Sequence, residues 1–123
     1  MVLVDTSVWV QHFRIGNRHL SNLLVNGRVS SHPFVIGECA LGSLKNRTEI
    51  LTLMNALPKT PHLDDEEVLQ FIESRHLMGR GIGLVDVHLA ASAKLGGVQL
   101  WTLDKKLAVV ASELDLLFHP AFH

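Results

Sequence analysis

The sequence has one cysteine, no long apolar run, no excess of positive charge, and no repeat, low-complexity tract or linker. Each absence removes a class of protein. A lone Cys39 cannot close an internal disulfide, so a disulfide-stapled scaffold is excluded and a reducing, cytoplasmic setting is expected. Without about 20 consecutive apolar residues there is no candidate membrane span. The opening MVLVDTSVWV carries no basic leader, and Asp5 interrupts its apolar stretch early. It reads as a core strand and not as a signal peptide. With 11 basic against 12 acidic residues the formal net charge is −1, whereas proteins that hold nucleic acid by bulk electrostatics are usually basic. Any nucleic-acid chemistry must then come from a local patch, a bound metal or a partner.

What is present suits one globular domain spanning 1–123. Hydrophobic residues make up 47% of the chain, enough for a core that needs neither disulfides nor a structural zinc. Short apolar runs of strand type at 2–4, 28–31 and 98–103 alternate with helical patterns. Those patterns cover 8–14, 19–26, 33–44, 47–57, 64–77, 87–95 and 105–113. Thr6 or Ser7 can cap the first helix, and Pro33 suits the first position of the third. Residues 58–62 read as a loop, 79–83 as a flexible turn and 116–118 as a last strand. The alternation predicts an α/β domain with a central, mostly parallel sheet. In such sheets ligands bind beyond the carboxyl ends of the strands.

That rule makes the acidic positions informative. Asp5 and Asp104 each follow a predicted strand and precede a helix, while Glu38 and Asp86 lie in the first turns of helices starting at the same edge. Four carboxylates from four segments thus meet at one rim. Two carboxylates about 4 Å apart repel by roughly 4 kcal/mol at an effective dielectric of about 20, so the cluster must protonate, stay wet or hold a cation. All-oxygen ligands suit a hard ion such as Mg²⁺, and metal-assisted phosphoryl transfer is the natural chemistry. A helix cap is the competing explanation for Asp86 or Asp104 taken singly. Glu38 is harder to explain away, because its neighbours Phe34, Val35, Ile36, Cys39, Ala40 and Leu41 leave little room for a solvated face. On pattern alone the metal site and the set of caps stand as alternatives.

Other residues carry less. Arg80, between glycines just before Asp86, is the best candidate phosphate contact, followed by Lys45, Arg47, Lys105 and Lys106; solvated surface charge explains each of them equally well. The eight histidines form no HExxH or HxH pair, and Cys39 has no cysteine partner, so no zinc site is expected. Cys39, Trp9 and Trp101 read as core, and His119 and His123 as tail residues. The apolar faces at Leu20–Leu24 and Ile50–Leu57 read as core that can also receive a partner helix wherever it stays exposed.

The acidic positions and their neighbours, VLVDTSVWV, HPFVIGECALGSLKNR, GIGLVDVHLAASA and LWTLDKKL, resemble the PIN-domain family, most closely the VapC-type ribonuclease toxins of bacterial toxin–antitoxin systems. The resemblance covers essentially the whole chain. It implies a three-layer α/β/α domain and an acidic pocket for Mg²⁺ or Mn²⁺, in which RNA phosphodiester bonds are cleaved by metal-activated water. By position it makes Asp5, Asp86 and Asp104 direct or water-mediated metal ligands, and Glu38 a ligand or the group that orients the attacking water. Thr6, Ser7 and Thr102 resemble the family's polar helpers, which hydrogen-bond the carboxylates. It further implies a homodimer and a cognate, VapB-like antitoxin whose C-terminal segment covers the groove; Arg80 can then face phosphate or an antitoxin carboxylate. The rival expectations are a nuclease of structured RNA or DNA with no toxin role, and a non-catalytic interaction module.

Overall fold

Val2, Leu3 and Val4 have no solvent exposure, as expected of a strand covered on both faces, whose sequence is a continuous apolar run. This strand, β1 (Val2–Val4), is the middle of an all-parallel sheet in the order β2-β1-β3, with β2 at Val29–Ser30 and β3 at Gln99–Trp101. Single parallel bridges lengthen both edges, Ser31 to Lys59 on one side and Leu100 to Leu117 on the other. The computed structural model describes residues 1–120; His123 lies outside them.

The helices are α1 (Thr6–Ile15), α2 (Arg18–Val25), α3 (Pro33–Leu41), α4 (Arg47–Ala56), α5 (Asp65–Ser74), α6 (Leu84–Gly96) and α7 (Lys105–Glu113). They complete the α/β/α layering, with α1 packed on α3 and α3 on α4, while α6 packs against α5, α7 and β3. Local signals fix their ends. The Asn17 side chain accepts from the Leu20 N–H, and Asp64 and Glu67 form a reciprocal capping box at α5. Gly97, with φ of +66°, ends α6 in the left-handed conformation that glycine adopts at no cost. None of the described helices is long and apolar enough to cross a membrane.

Several boundaries differ from the sequence expectation, and two of them bear on the site. α6 starts at Leu84 and not at 87, which sets Asp86 inside the first helical turn. β3 stops at Trp101 and not at 103, so Thr102 and Leu103 form a turn that carries Asp104 to the head of α7. α3 ends at Leu41, short of 44, because Gly42 leaves the helix in an extended conformation. The region 116–118 contributes a single bridge instead of a strand: the Leu100 N–H donates to the Leu116 carbonyl and the Phe118 N–H to the Leu100 carbonyl, at 2.7 and 2.9 Å.

Candidate active site

The register Val4 to Trp101 places the ends of β1 and β3 side by side, and the Asp5 N–H donates to the Trp101 carbonyl at 2.9 Å. Asp5 therefore leaves the sheet next to Thr102. Its carboxylate is 5% exposed and does not cap α1, nor do Thr6 or Ser7, which sit within that helix. Instead Oδ2 accepts hydrogen bonds from Ser7 Oγ and Thr102 Oγ1, both at 2.7 Å. Each hydroxyl is in turn oriented by a backbone donor. The Leu103 N–H donates to Ser7 Oγ and the Asp104 N–H to Thr102 Oγ1, both at 3.0 Å. Because each hydroxyl has a single proton, these amides force both protons toward Asp5. The other oxygen, Oδ1, has no hydrogen-bond donor among the described residues.

Asp104 does serve as a cap: its Oδ1 accepts from the Leu107 N–H at 2.9 Å, which leaves Oδ2 open. Here the structural and functional explanations of one residue are compatible, since they use different oxygens. Glu38 stands one turn inside α3, whose start at Pro33 is the expected one, and is held by Thr6 Oγ1, which donates to Oε1 at 2.7 Å. The expectation that α3 lacks a solvated face is corrected. Val35, Ile36 and Cys39 form its buried side, whereas Glu38 is exposed beside Gly37 and Leu41, because a nine-residue helix against one layer buries only one stripe.

Asp86 is the electrostatic centre. It is half-buried and has no hydrogen-bond donor among the described residues, and its carboxyl pKa rises from 3.8 to about 6. Burial is the first cause, and repulsion from Asp5, Asp104 and Glu38 adds to it. Three carboxylates from three other segments thus act on Asp86. Each keeps at least one oxygen with no donor among the described residues. Among the described residues, no three Asp, Glu, His or Cys side chains stand close enough together to hold a metal ion by themselves.

The cationic candidates divide. Arg80 is engaged, its Nη1 and Nη2 donating to the two oxygens of Glu113 at 2.6 and 2.8 Å. The pair raises the Arg80 pKa and lowers that of Glu113. Lys45 is exposed in the turn between α3 and α4, Arg47 donates to the Gly42 carbonyl, and Lys105 is exposed at the head of α7. Cys39 is buried, and its thiol pKa is pushed up to about 11 by burial, Glu38 and Asp5, so no thiolate nucleophile is present.

One constellation had no sequence signal. His32, His62 and His88, from three segments, gather with Phe34 at ring-centroid separations of 4.8 to 6.5 Å. His32 Nδ1 accepts from the Phe34 N–H at 3.0 Å and so caps α3. Its neutral ring therefore carries the proton on Nε2, which is buried without a partner among the described residues. Burial, then His62 and His88, lower the His32 pKa to about 4.

A family profile described as PIN domain matches residues 2–113. Ribonuclease VapC32 of Mycobacterium tuberculosis is 45% identical over 114 residues, which cover 92% of this chain and 92% of that protein. Two crystal structures share the fold. FitAcB from Neisseria gonorrhoeae has a TM-score of 0.64 at 18% identity over the whole of both chains. PAE2754 from Pyrobaculum aerophilum has a TM-score of 0.63 at 17% identity, covering 93% of this chain and 94% of its own.

Proposed function

Because this chain belongs to the PIN-domain family and is of the VapC type, we propose that it is a Mg²⁺- or Mn²⁺-dependent endoribonuclease, a toxin silenced by a cognate antitoxin. The observation that carries the reading is Asp86, a carboxylate without a donor whose pKa is raised to about 6 by burial and by three other carboxylates. Such a cluster is a net cost to the bare protein and becomes favourable only around a cation. The donor set fits a hard divalent ion, since every available atom is a carboxylate oxygen. Mg²⁺ keeps several waters and takes only one or two protein carboxylates, so it needs no preformed cage of side chains.

Asp5 through Oδ1, Asp86, and Asp104 through Oδ2 would hold the ion directly or through water. When bound, the ion supplies Lewis-acid chemistry, offsetting phosphate charge and making water easier to deprotonate. The chain's own residues do the positioning. Ser7 and Thr102 fix the orientation of the Asp5 carboxylate, because both donate to its Oδ2. Thr6 fixes Glu38 by one oxygen, leaving Oε2 to orient the attacking water and take its proton. Exposure rises from Asp5 through Asp86 to Asp104 and Glu38, which leaves the outer side open to a polymer.

An apolar groove between α1, α2 and α4, lined by Trp9, Phe13, Leu24, Ile50, Leu53 and Leu57, supports the antitoxin half of the proposal. Leu53 is 63% exposed there, so an amphipathic partner segment has apolar surface to cover. The family resemblance carries a homodimer as well, and Leu69 and Leu84 remain on the surface for a second copy to bury.

The direct test incubates the purified chain, free of antitoxin, with total bacterial RNA in Mn²⁺ or in EDTA, with Asp86→Asn as control. Discrete fragments that require both the metal and Asp86 are expected. Absence of cleavage together with absence of Mn²⁺ binding would overturn the proposal.

A further inference from the structure

Lys105 and Lys106 open α7, where the partial positive charge of a helix N-terminus disfavours cations, and no acidic residue shares that first turn. Lys106 nevertheless holds a defined place. Its side chain lies across Gly81, where a Cβ would stand 2.7 Å from Nζ and 3.6 and 3.7 Å from Cε and Cδ. Gly81 also has φ of +73°, the left-handed region that glycine adopts freely. The left-handed backbone keeps this position glycine, while the lysine, whose flexible end can move aside, adds a close contact and no steric demand.

The ammonium rises from the turn after Asp104 and ends on the loop leading into α6. It therefore stands between the segments that carry Asp104 and Asp86. Among the described residues it has no carboxylate within ion-pair distance, whereas the neighbouring Arg80 is taken up by Glu113. A polyanion approaching four carboxylates on a chain of net charge −1 needs a fixed cation at the rim. Resting on the ribonuclease reading above, we infer that Lys106 is a positioning residue that holds a backbone phosphate of the RNA beside the Asp86–Asp104 rim. A phosphate contact sets register and carries no base information, so Lys106 acts alike on every single-stranded sequence.

The test is steady-state cleavage of a single-stranded oligoribonucleotide in Mn²⁺ across a graded NaCl series, with binding of the same RNA measured in EDTA. Lys106→Ala should raise KM roughly two- to fivefold, the size of an exposed ion pair, and leave kcat within about twofold. The plot of log(kcat/KM) against log[salt] should become shallower by about 0.7, one phosphate contact on a single strand. Lys106→Arg should restore both.

An active Lys106→Ala enzyme with wild-type KM and salt slope would refute the assignment. So would a variant that loses melting temperature and kcat while its slope stays unchanged, or one that loses only its response to an acidic protein partner. If the wild-type chain neither cleaves nor binds the RNA, the ribonuclease reading falls and the lysine's role falls with it.

Discussion

Asp86 and His32 titrate in opposite senses across the same pH window, so removing either one should tilt the profile of the metal-free wild-type chain, and in opposite directions. Folded Asp86 keeps its proton up to about 6 instead of 3.8, through burial and the carboxylates of Asp5, Asp104 and Glu38. Folded His32 refuses a proton until about 4 instead of 6.5, through burial and then His62 and His88. In the window between, the folded chain carries the Asp86 proton and the unfolded chain the His32 proton. Stability changes with pH in proportion to the difference in bound protons, and here the two oppose each other. His88, also lowered by burial and by His62, adds a gentle upward slope. In Asp86→Asn only the histidines remain. The unfolded chain then binds more protons, and stability rises with pH by up to about 1.4 kcal/mol per unit, roughly 3 kcal/mol across the window.

In His32→Asn, which keeps an acceptor for the Phe34 N–H, Asp86 dominates. The folded chain binds more protons, so the contribution is greatest below the unfolded pKa and is lost as pH rises through about 6. The unscreened size is about 3 kcal/mol, and solvent at this half-buried carboxylate reduces it to about 1.5 kcal/mol. Urea unfolding in EDTA between about pH 4 and pH 7, followed by fluorescence of the buried Trp9 and Trp101, reads all three profiles. Parallel profiles for the wild type and both variants would refute the opposed titrations and, with them, the carboxylate repulsion at Asp86.

Two further outcomes follow from the same geometry. Saturating Mn²⁺ should raise the melting temperature of the wild-type chain by several degrees, since a ligand at about 100 times its Kd stabilises by about 2.7 kcal/mol; Asp86→Asn should abolish the shift in differential scanning fluorimetry. Thr102→Val should cost about 1 kcal/mol in chemical denaturation, because it takes the acceptor from the partly buried Asp104 N–H and removes a donor from Asp5. It should also weaken cleavage, and unchanged stability would show that the hydroxyl relay contributes nothing.

The parts of the site that were readable in advance are those with local causes. Asp104 could be placed at the head of a helix because capping depends on the next three residues, and the Leu107 N–H meets it as expected. Three strand positions and the span of α7 followed from apolar runs and period. Glu38 was placed on a face wrongly thought to be apolar, because composition shows which residues a helix contains and not how wide its buried stripe is. Nothing local announced that Arg80 would be paired with Glu113, 33 residues away, or that Lys106 would lie on Gly81.

By itself, then, the sequence determined the α/β alternation, the parallel sheet and the four acidic positions, since each is encoded within a few residues by periodicity, strand ends and helix starts. The tertiary structure alone decided which oxygen of Asp5 is free, which hydroxyls feed the other, and which cation a carboxylate takes up. Thr102 and Asp5 are 97 residues apart, and they meet because the order β2-β1-β3 and the register Val4 to Trp101 bring two strand ends together. That order and register come from burying β1 completely between two neighbours, a requirement of the whole core that no local pattern of residues expresses.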